Sequence, residues 1–341
     1  MKKIKIWFSG MSGNFNPDNN FIINILKKYY EVELSEKPDY LFYSVNSMDY
    51  LKYNCIRIFY TAENLTPDFN ICDYAIGFHY LDFDDRYIRF PLYLVDDFTV
   101  YSNDNYANDL FRTVHKHERA ARAMKEKTDF CSFVYSNAKA AGCRQLIFEE
   151  LSKYKPVHSG GKYLNNLSGP VDNKLEFQLT HKFVIAFENT SAPGYTTEKI
   201  IGAFSADAVP IYWGNPWIDR EFNEAAFINC HKWGLTEDPN IKIIQKIVDE
   251  VKKIDTDDTL FYNMLSANAI AQENNIDRQK LRFENFLTNI FDQDLNKAYR
   301  RNRFYWGERY ERKQKIGMKY YCFLRRFIPI RDRIKHFANK R

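Results

Sequence analysis

Four side chains able to do chemistry fall close together in the run FENTSAPGYTTEK: Asn189, Tyr195, Glu198 and Lys199. Asn189 offers both donors and acceptors. Tyr195 can lie along a sugar or base face. Lys199 is a compact cation at an expected helix start, where the macrodipole gives positive charge no help. Its natural explanation is an anionic ligand, and a diphosphate fits best. Arg144 stands at a second expected helix start, and a guanidinium there can grip a phosphate with two parallel N–H bonds. Glu63 closes the strand-like run CIRIFYTAEN, and a carboxylate at the carboxyl end of a strand points into the ligand crevice of an α/β domain. Taken singly, each has a plainer reading: a solvated helix face for Glu198 and Lys199, a turn for Asn189, a surface position for Arg144, an exposed loop acid for Glu63. The block 182–214 taken whole argues for a site.

That block supplies the elements that must position them. Residues 183–187 are a short run of β-formers and read as a buried strand. The turn-forming stretch 189–194 breaks the pattern. Thr196 or Thr197 is expected to cap a helix with Glu198 in its first turn. Ile200, Ala203 and Phe204 give that helix an apolar face, and 209–213 is a second buried strand before Gly214. Strand, loop, helix and strand form a βαβ unit, whose ligand lies beyond the strand's carboxyl end near the helix N-terminus.

The stretch FENTSAPGYTTEKIIGAFSADAVPIYWG resembles the donor-binding motif of the bacterial α1,3/4-fucosyltransferases, glycosyltransferase family 10. The resemblance implies an α/β fold of GT-B type, with two Rossmann-like domains facing across a cleft. It also implies GDP-fucose as donor and inversion at the anomeric carbon. The acceptor would be the 3-hydroxyl or 4-hydroxyl of an N-acetylglucosamine-containing glycan, in surface polysaccharide or lipopolysaccharide synthesis. FYTAEN and the following PDFNICDYAIGF are similar to the family's acceptor-side motif, which holds its proposed base. On that footing Glu63 takes the acceptor proton, while Arg144 and Lys199 meet the departing diphosphate. Glu198 contacts either the fucose ring or the ribose hydroxyls. Asn189 and Tyr195 complete the donor pocket, and Tyr60 borders it from the first domain. The donor motif has no DxD-like pair, and Lys and Arg can do a metal's charge work. No cofactor is therefore expected, with stimulation by Mn²⁺ or Mg²⁺ left open. His115 and His117 have no third ligand at helpful spacing.

The remaining sequence is read as a first domain over 1–126, a second over 127–299 and a basic amphipathic tail over 300–341. The opening alternation of strands and helices is α/β. The stretch 158–162 reads as a flexible loop without chemistry. Helical spacing is clear over 241–254 and present over 259–269 and 277–291. The sequence shows no apolar run of membrane-spanning length and no h-region after MKKIKIWFSG. The six cysteines lack CxxC spacing and read as reduced thiols. A cytoplasmic enzyme is expected. From Arg300 onward there are 15 Lys and Arg against 3 Asp and Glu, so a net charge of +5 hides a mildly acidic body. Such a tail suits an anionic membrane surface, placing the enzyme on the inner face of the cytoplasmic membrane. The competing readings are a transferase using another nucleotide-sugar and a basic-tailed nucleic-acid-binding protein, though no nucleic-acid-binding motif accompanies the tail.

Overall fold

The computed structural model describes residues 1–13, 15–95, 116–238 and 240–325. Two parallel sheets form the scaffold. The first holds β1 (Lys2–Ser9), β2 (Tyr30–Leu34), β3 (Tyr40–Tyr43), β4 (Ile56–Tyr60), β5 (Tyr74–Gly77) and β6 (Tyr87–Arg89), in the order β2-β1-β3-β4-β5-β6. The second holds β7 (Asp129–Phe133), β8 (Val157–Ser159), β9 (His181–Phe187), β10 (Val209–Trp213) and β11 (Ile228–Asn229), in the order β11-β10-β9-β7-β8. Every residue of β3, β4, β5 and β10 is buried. Parallel strands covered on both faces need such continuous apolar runs, which is why these segments do not alternate.

Helices fill the faces. In the first unit α1 (Phe21–Tyr29) is capped by the Asn20 side chain, which accepts from the Ile23 amide at 3.0 Å. The second unit carries α2 (Lys116–Glu126), α3 (Cys143–Ser152), α4 (Lys174–Leu179), α5 (Lys199–Ser205), α6 (Ile241–Thr256) and α7 (Asp258–Ser266). The stretch expected to be a flexible loop at 158–162 instead begins in strand β8, paired with β7 through Ser132 and His158. Three residues are too few to show a period, so the sequence pattern hides that strand.

Helix α8 (Ile276–Asp292) returns the chain to the first sheet. Phe283 stacks on Phe90 with ring centres 4.0 Å apart, and Phe291 meets Tyr40 at 4.4 Å. After α9 (Leu295–Ala298), the backbone amides of Arg300 and Arg301 both donate to Asp73 Oδ1. The last described helix, α10 (Trp306–Arg325), docks on the same sheet. There the buried Arg57 donates to both carboxylate oxygens of Glu311, at 3.1 and 3.0 Å. Tyr310 donates to Asp68 at 2.8 Å. Phe304, Tyr305, Trp306, Tyr320 and Phe323 stay exposed. Residues 326–341 of the expected amphipathic tail and His115 lie outside the described residues. No helix among the described residues is long and apolar enough to cross a membrane. Cys55, Cys72, Cys131, Cys143 and Cys230 are buried free thiols.

Candidate active site

The site forms where the carboxyl ends of β4 and β9 approach one another. β9 ends at Phe187, and Glu188 follows with no exposed surface. Its Oε1 accepts from the Thr197 amide and its Oε2 from the Thr197 hydroxyl, each at 2.7 Å. Lys199 Nζ donates to the same Oε2 at 2.8 Å. Nothing in the spacing marks Glu188 as this partner, and the expectation that only a ligand answers the Lys199 charge is overturned. The expected threonine cap is corrected as well. Glu198 occupies the cap position of α5 without a side-chain bond to the helix. Thr197 serves Glu188, and Thr196 donates to Glu221. These hydroxyls stitch the loop to carboxylates instead of satisfying helix amides.

The charges are tightly balanced. Burial opposes the Lys199 ammonium, but Glu188 and Glu198 outweigh that and raise its pKa well above the usual lysine value. Burial would push Glu198 up, yet the neighbouring Lys199 and Lys174 hold it below the ordinary carboxylate value. Glu198 Oε1 lies 3.9 Å from Lys199 Nζ. Lys174, on the short α4, is a member that sequence reading missed. Burial pulls its pKa down against the attraction of Glu198.

Arg144, at the start of α3, is 1% exposed. Its Nη2 donates to the Phe187 carbonyl at 3.0 Å and to Asn189 Oδ1 at 2.8 Å, and its guanidinium lies 4.2 Å above the Tyr135 ring. Tyr135 is in turn fixed at the end of β9, where its hydroxyl accepts from the Phe187 amide at 2.7 Å. Arg144 Nε and Nη1 are buried without a hydrogen-bond partner in the protein. A guanidinium held by one nitrogen and leaving two buried donors unmatched is suited to an anion, because unpaired buried donors are costly.

Tyr195 is buried, and its ring packs edge-on against Phe78 at 4.9 Å. In this structure it is therefore no open stacking face. Burial raises the pKa of its phenol, and the nearby charges of Glu188, Glu63 and Glu198 add to that. Glu63 of the first unit thus shares one electrostatic neighbourhood with the loop of the second. It lies exposed beyond β4, its amide held by Thr61 Oγ1 at 3.0 Å. The adjacent Asn64 bridges the units by donating to Thr190 Oγ1 at 2.8 Å. Tyr60, the last residue of β4, packs its ring 5.5 Å from Phe21 inside the first core.

A second contact fixes how the units meet. Arg89, at the end of β6, forms a buried ion pair with Glu221 and donates to the Gly194 carbonyl at 2.8 Å. Gly194 has φ of +90°, and a Cβ there would sit 2.3 Å from the Phe78 carbonyl oxygen. Only glycine permits that backbone and that approach.

Comparison with known proteins agrees with this architecture. The family described as "Alpha-(1,3)-fucosyltransferase FucT N-terminal domain" matches residues 6–96. "Glycosyltransferase family 10 (fucosyltransferase) C-term" matches residues 124–266. The Alpha-(1,3)-fucosyltransferase FucT of Helicobacter pylori is 36% identical over 279 residues, covering 74% of this chain and 56% of that protein. Alpha-(1,3)-fucosyltransferase B of Drosophila melanogaster is 27% identical over 236 residues, covering 63% and 48%. The chain thus spans about half the length of these curated relatives. A crystal structure of an alpha1,3-fucosyltransferase with GDP-fucose superposes with a TM-score of 0.66 at 30% identity, over 86% of this chain and 93% of that one. The two parallel sheets are those of a GT-B fold, and the chain belongs to glycosyltransferase family 10, the fucosyltransferases.

Proposed function

We propose that this chain moves L-fucose from GDP-fucose, with inversion, to the 3- or 4-hydroxyl of an N-acetylglucosamine-containing glycan, in the assembly of a bacterial surface polysaccharide or lipopolysaccharide. The observation that carries the proposal is the buried Arg144 guanidinium, whose Nε and Nη1 have no partner beside the end of β9. In the proposed mechanism those donors and Lys199 take the charge that develops on the departing diphosphate. Glu198, kept anionic by Lys199 and Lys174, faces the oxocarbenium-like sugar or the ribose hydroxyls. Asn189 orients Arg144, and Tyr195 and Tyr60 support the loop and the strand end. Glu63 is the base that takes the proton of the attacking hydroxyl. The first sheet, with α8 packed on it, would then serve the acceptor, and the second sheet with α2 to α7 the donor, in place of a division at 126/127 and 299. No cofactor enters the scheme.

Glu63→Gln is expected to lower turnover roughly 10²–10⁴-fold, the usual contribution of a base, with GDP-fucose affinity unchanged by calorimetry. Turnover close to wild type would assign the base to another carboxylate. Loss of GDP-fucose binding would move Glu63 to the donor pocket. The same titration with UDP-sugars tests the choice of nucleotide.

We further propose that the last helix meets an anionic membrane from the cytoplasmic side. Its support is the exposed set Tyr320, Tyr321, Phe323 and Leu324 on a basic segment, and the buried thiols suit a reducing compartment. Because Tyr310, Glu311 and Met318 pack on the first sheet, the informative truncation falls after Lys319. That variant should keep turnover on a free oligosaccharide and lose co-sedimentation with phosphatidylserine vesicles. Unchanged co-sedimentation would reject the anchor.

A further inference from the structure

At the end of the second sheet away from the donor loop, three potential ligands converge from three neighbouring strands. Asp129 opens β7 and His181 opens β9, paired opposite one another, while His158 is the middle residue of β8. β7 lies between β8 and β9, and the register sets His158 level with Val184, three residues beyond His181. Their rings nonetheless meet across β7, with His158 Nδ1 3.0 Å from His181 Nε2. Asp129 Oδ1 stands 3.9 Å from the same His158 Nδ1. One ligand atom from each residue lies within 4.8 Å of the other two.

We infer that Asp129, His158 and His181 form a binding site for a divalent cation that favours imidazole, of the zinc or cobalt type. The second ring nitrogen of His181 supports this. Its Nδ1 lies 2.8 Å from the Phe177 carbonyl. That bond sets the tautomer, with hydrogen on Nδ1 and the Nε2 lone pair turned to the cluster, and a carbonyl behind a ligating histidine is the usual orienting arrangement. His181 is 1% exposed, so its ring is held in place by the packing around it. His158 and Asp129 keep about a third of their side-chain surface open, which leaves an entry path and a solvent-facing coordination position. Two nitrogens on a tetrahedral zinc at ~2.0–2.1 Å stand about 3.4 Å apart, so the 3.0 Å separation needs only a slight opening of the rings. Without a cation the same geometry is a plain hydrogen bond from His158 to His181, and the test must separate the two.

The site is structural in this reading. β8 is a three-residue edge strand, and a cation would pin it to β9 across β7. It is independent of fucosyl transfer, so failure of either proposal leaves the other standing.

Chelator-treated full-length protein is titrated with Zn²⁺ by calorimetry at neutral pH, beside the partly exposed variants His158→Ala and Asp129→Asn. Neither should disturb folding, which circular dichroism checks. Wild type is expected to take up one equivalent and gain a few degrees in Tm, since a ligand specific to the folded state stabilises it. Each variant should bind at least tenfold more weakly. Co²⁺ should give the visible bands of a four-coordinate ion in the wild type and lose them in both variants. Absence of zinc binding by the wild type, or wild-type affinity in either variant, overturns the site and leaves the histidine hydrogen bond as its whole content.

Discussion

Lys199 answers to two demands at once, and a single substitution mixes them. Its ammonium neutralises the buried Glu188 and is the cation proposed for the diphosphate. Lys199→Ala strands a carboxylate that has no exposed surface, and breaking such a pair from one side costs about 3–5 kcal/mol. The double variant Lys199→Ala with Glu188→Gln removes the stranded charge. We expect the single variant to lose both Tm and GDP affinity, and the double variant to recover Tm while GDP affinity stays low. If the double variant regained GDP affinity, Lys199 would serve Glu188 alone. The sequence displayed Lys199, Arg144 and Asn189 because cations at helix starts and a polar residue after a strand are unusual there. It concealed Glu188, since a carboxylate after an apolar strand looks like an exposed turn residue until Thr197 and Lys199 are seen to fold back on it. Lys174 was hidden for a similar reason: its helix is six residues long, too short for periodicity to mark.

The docking of α10 depends on one acidic side chain. Burial disfavours the Glu311 carboxylate, but bonds from Arg57 and Lys315 prevail and hold its pKa down at about 2. A carboxylate with a depressed folded-state pKa stabilises above its unfolded value, near 4.3, and loses that contribution as pH falls toward the folded one. Hydrogen exchange over 306–318 should therefore quicken between about pH 4.3 and pH 2, before or together with global unfolding. Glu311→Gln should show the fast exchange already at neutral pH, at a cost of about 2 kcal/mol, below the fully buried figure because Glu311 is partly exposed. Protection unchanged in that variant would show that Tyr310 and Met318 suffice. Sequence reading saw a basic, amphipathic helix here. It could not see that Arg57, in the middle of a buried strand, needed an acid from 254 residues away.

At the scale of the whole molecule, the alternation of strands and helices made two parallel α/β units legible in advance. The order of the strands was not, because nothing in a strand's own pattern names its neighbour in the sheet. The contact between the units rests on Arg89, Glu221 and Gly194. Gly194→Ala forces a side chain into a left-handed backbone and against the Phe78 carbonyl. We expect about 2 kcal/mol or more of destabilisation by denaturant titration, and a loss of turnover larger than the loss of GDP affinity. Wild-type turnover would mean that the seam between the units does not govern the alignment of Glu63 with the donor.

That seam also decides what can be recombined. A chimera taking its acceptor-side half from one relative and its donor-side half from another would bring together residues that never evolved as neighbours. Arg89 and Phe78 belong to one half, and Glu221 and Gly194 to the other. A transplanted half bringing a non-arginine at position 89 would leave Glu221 buried without its cation. One bringing a bulkier partner at 194 would wedge the halves apart. Successful crossovers should therefore keep these four positions as a single inherited set, whatever the acceptor pocket they are meant to exchange.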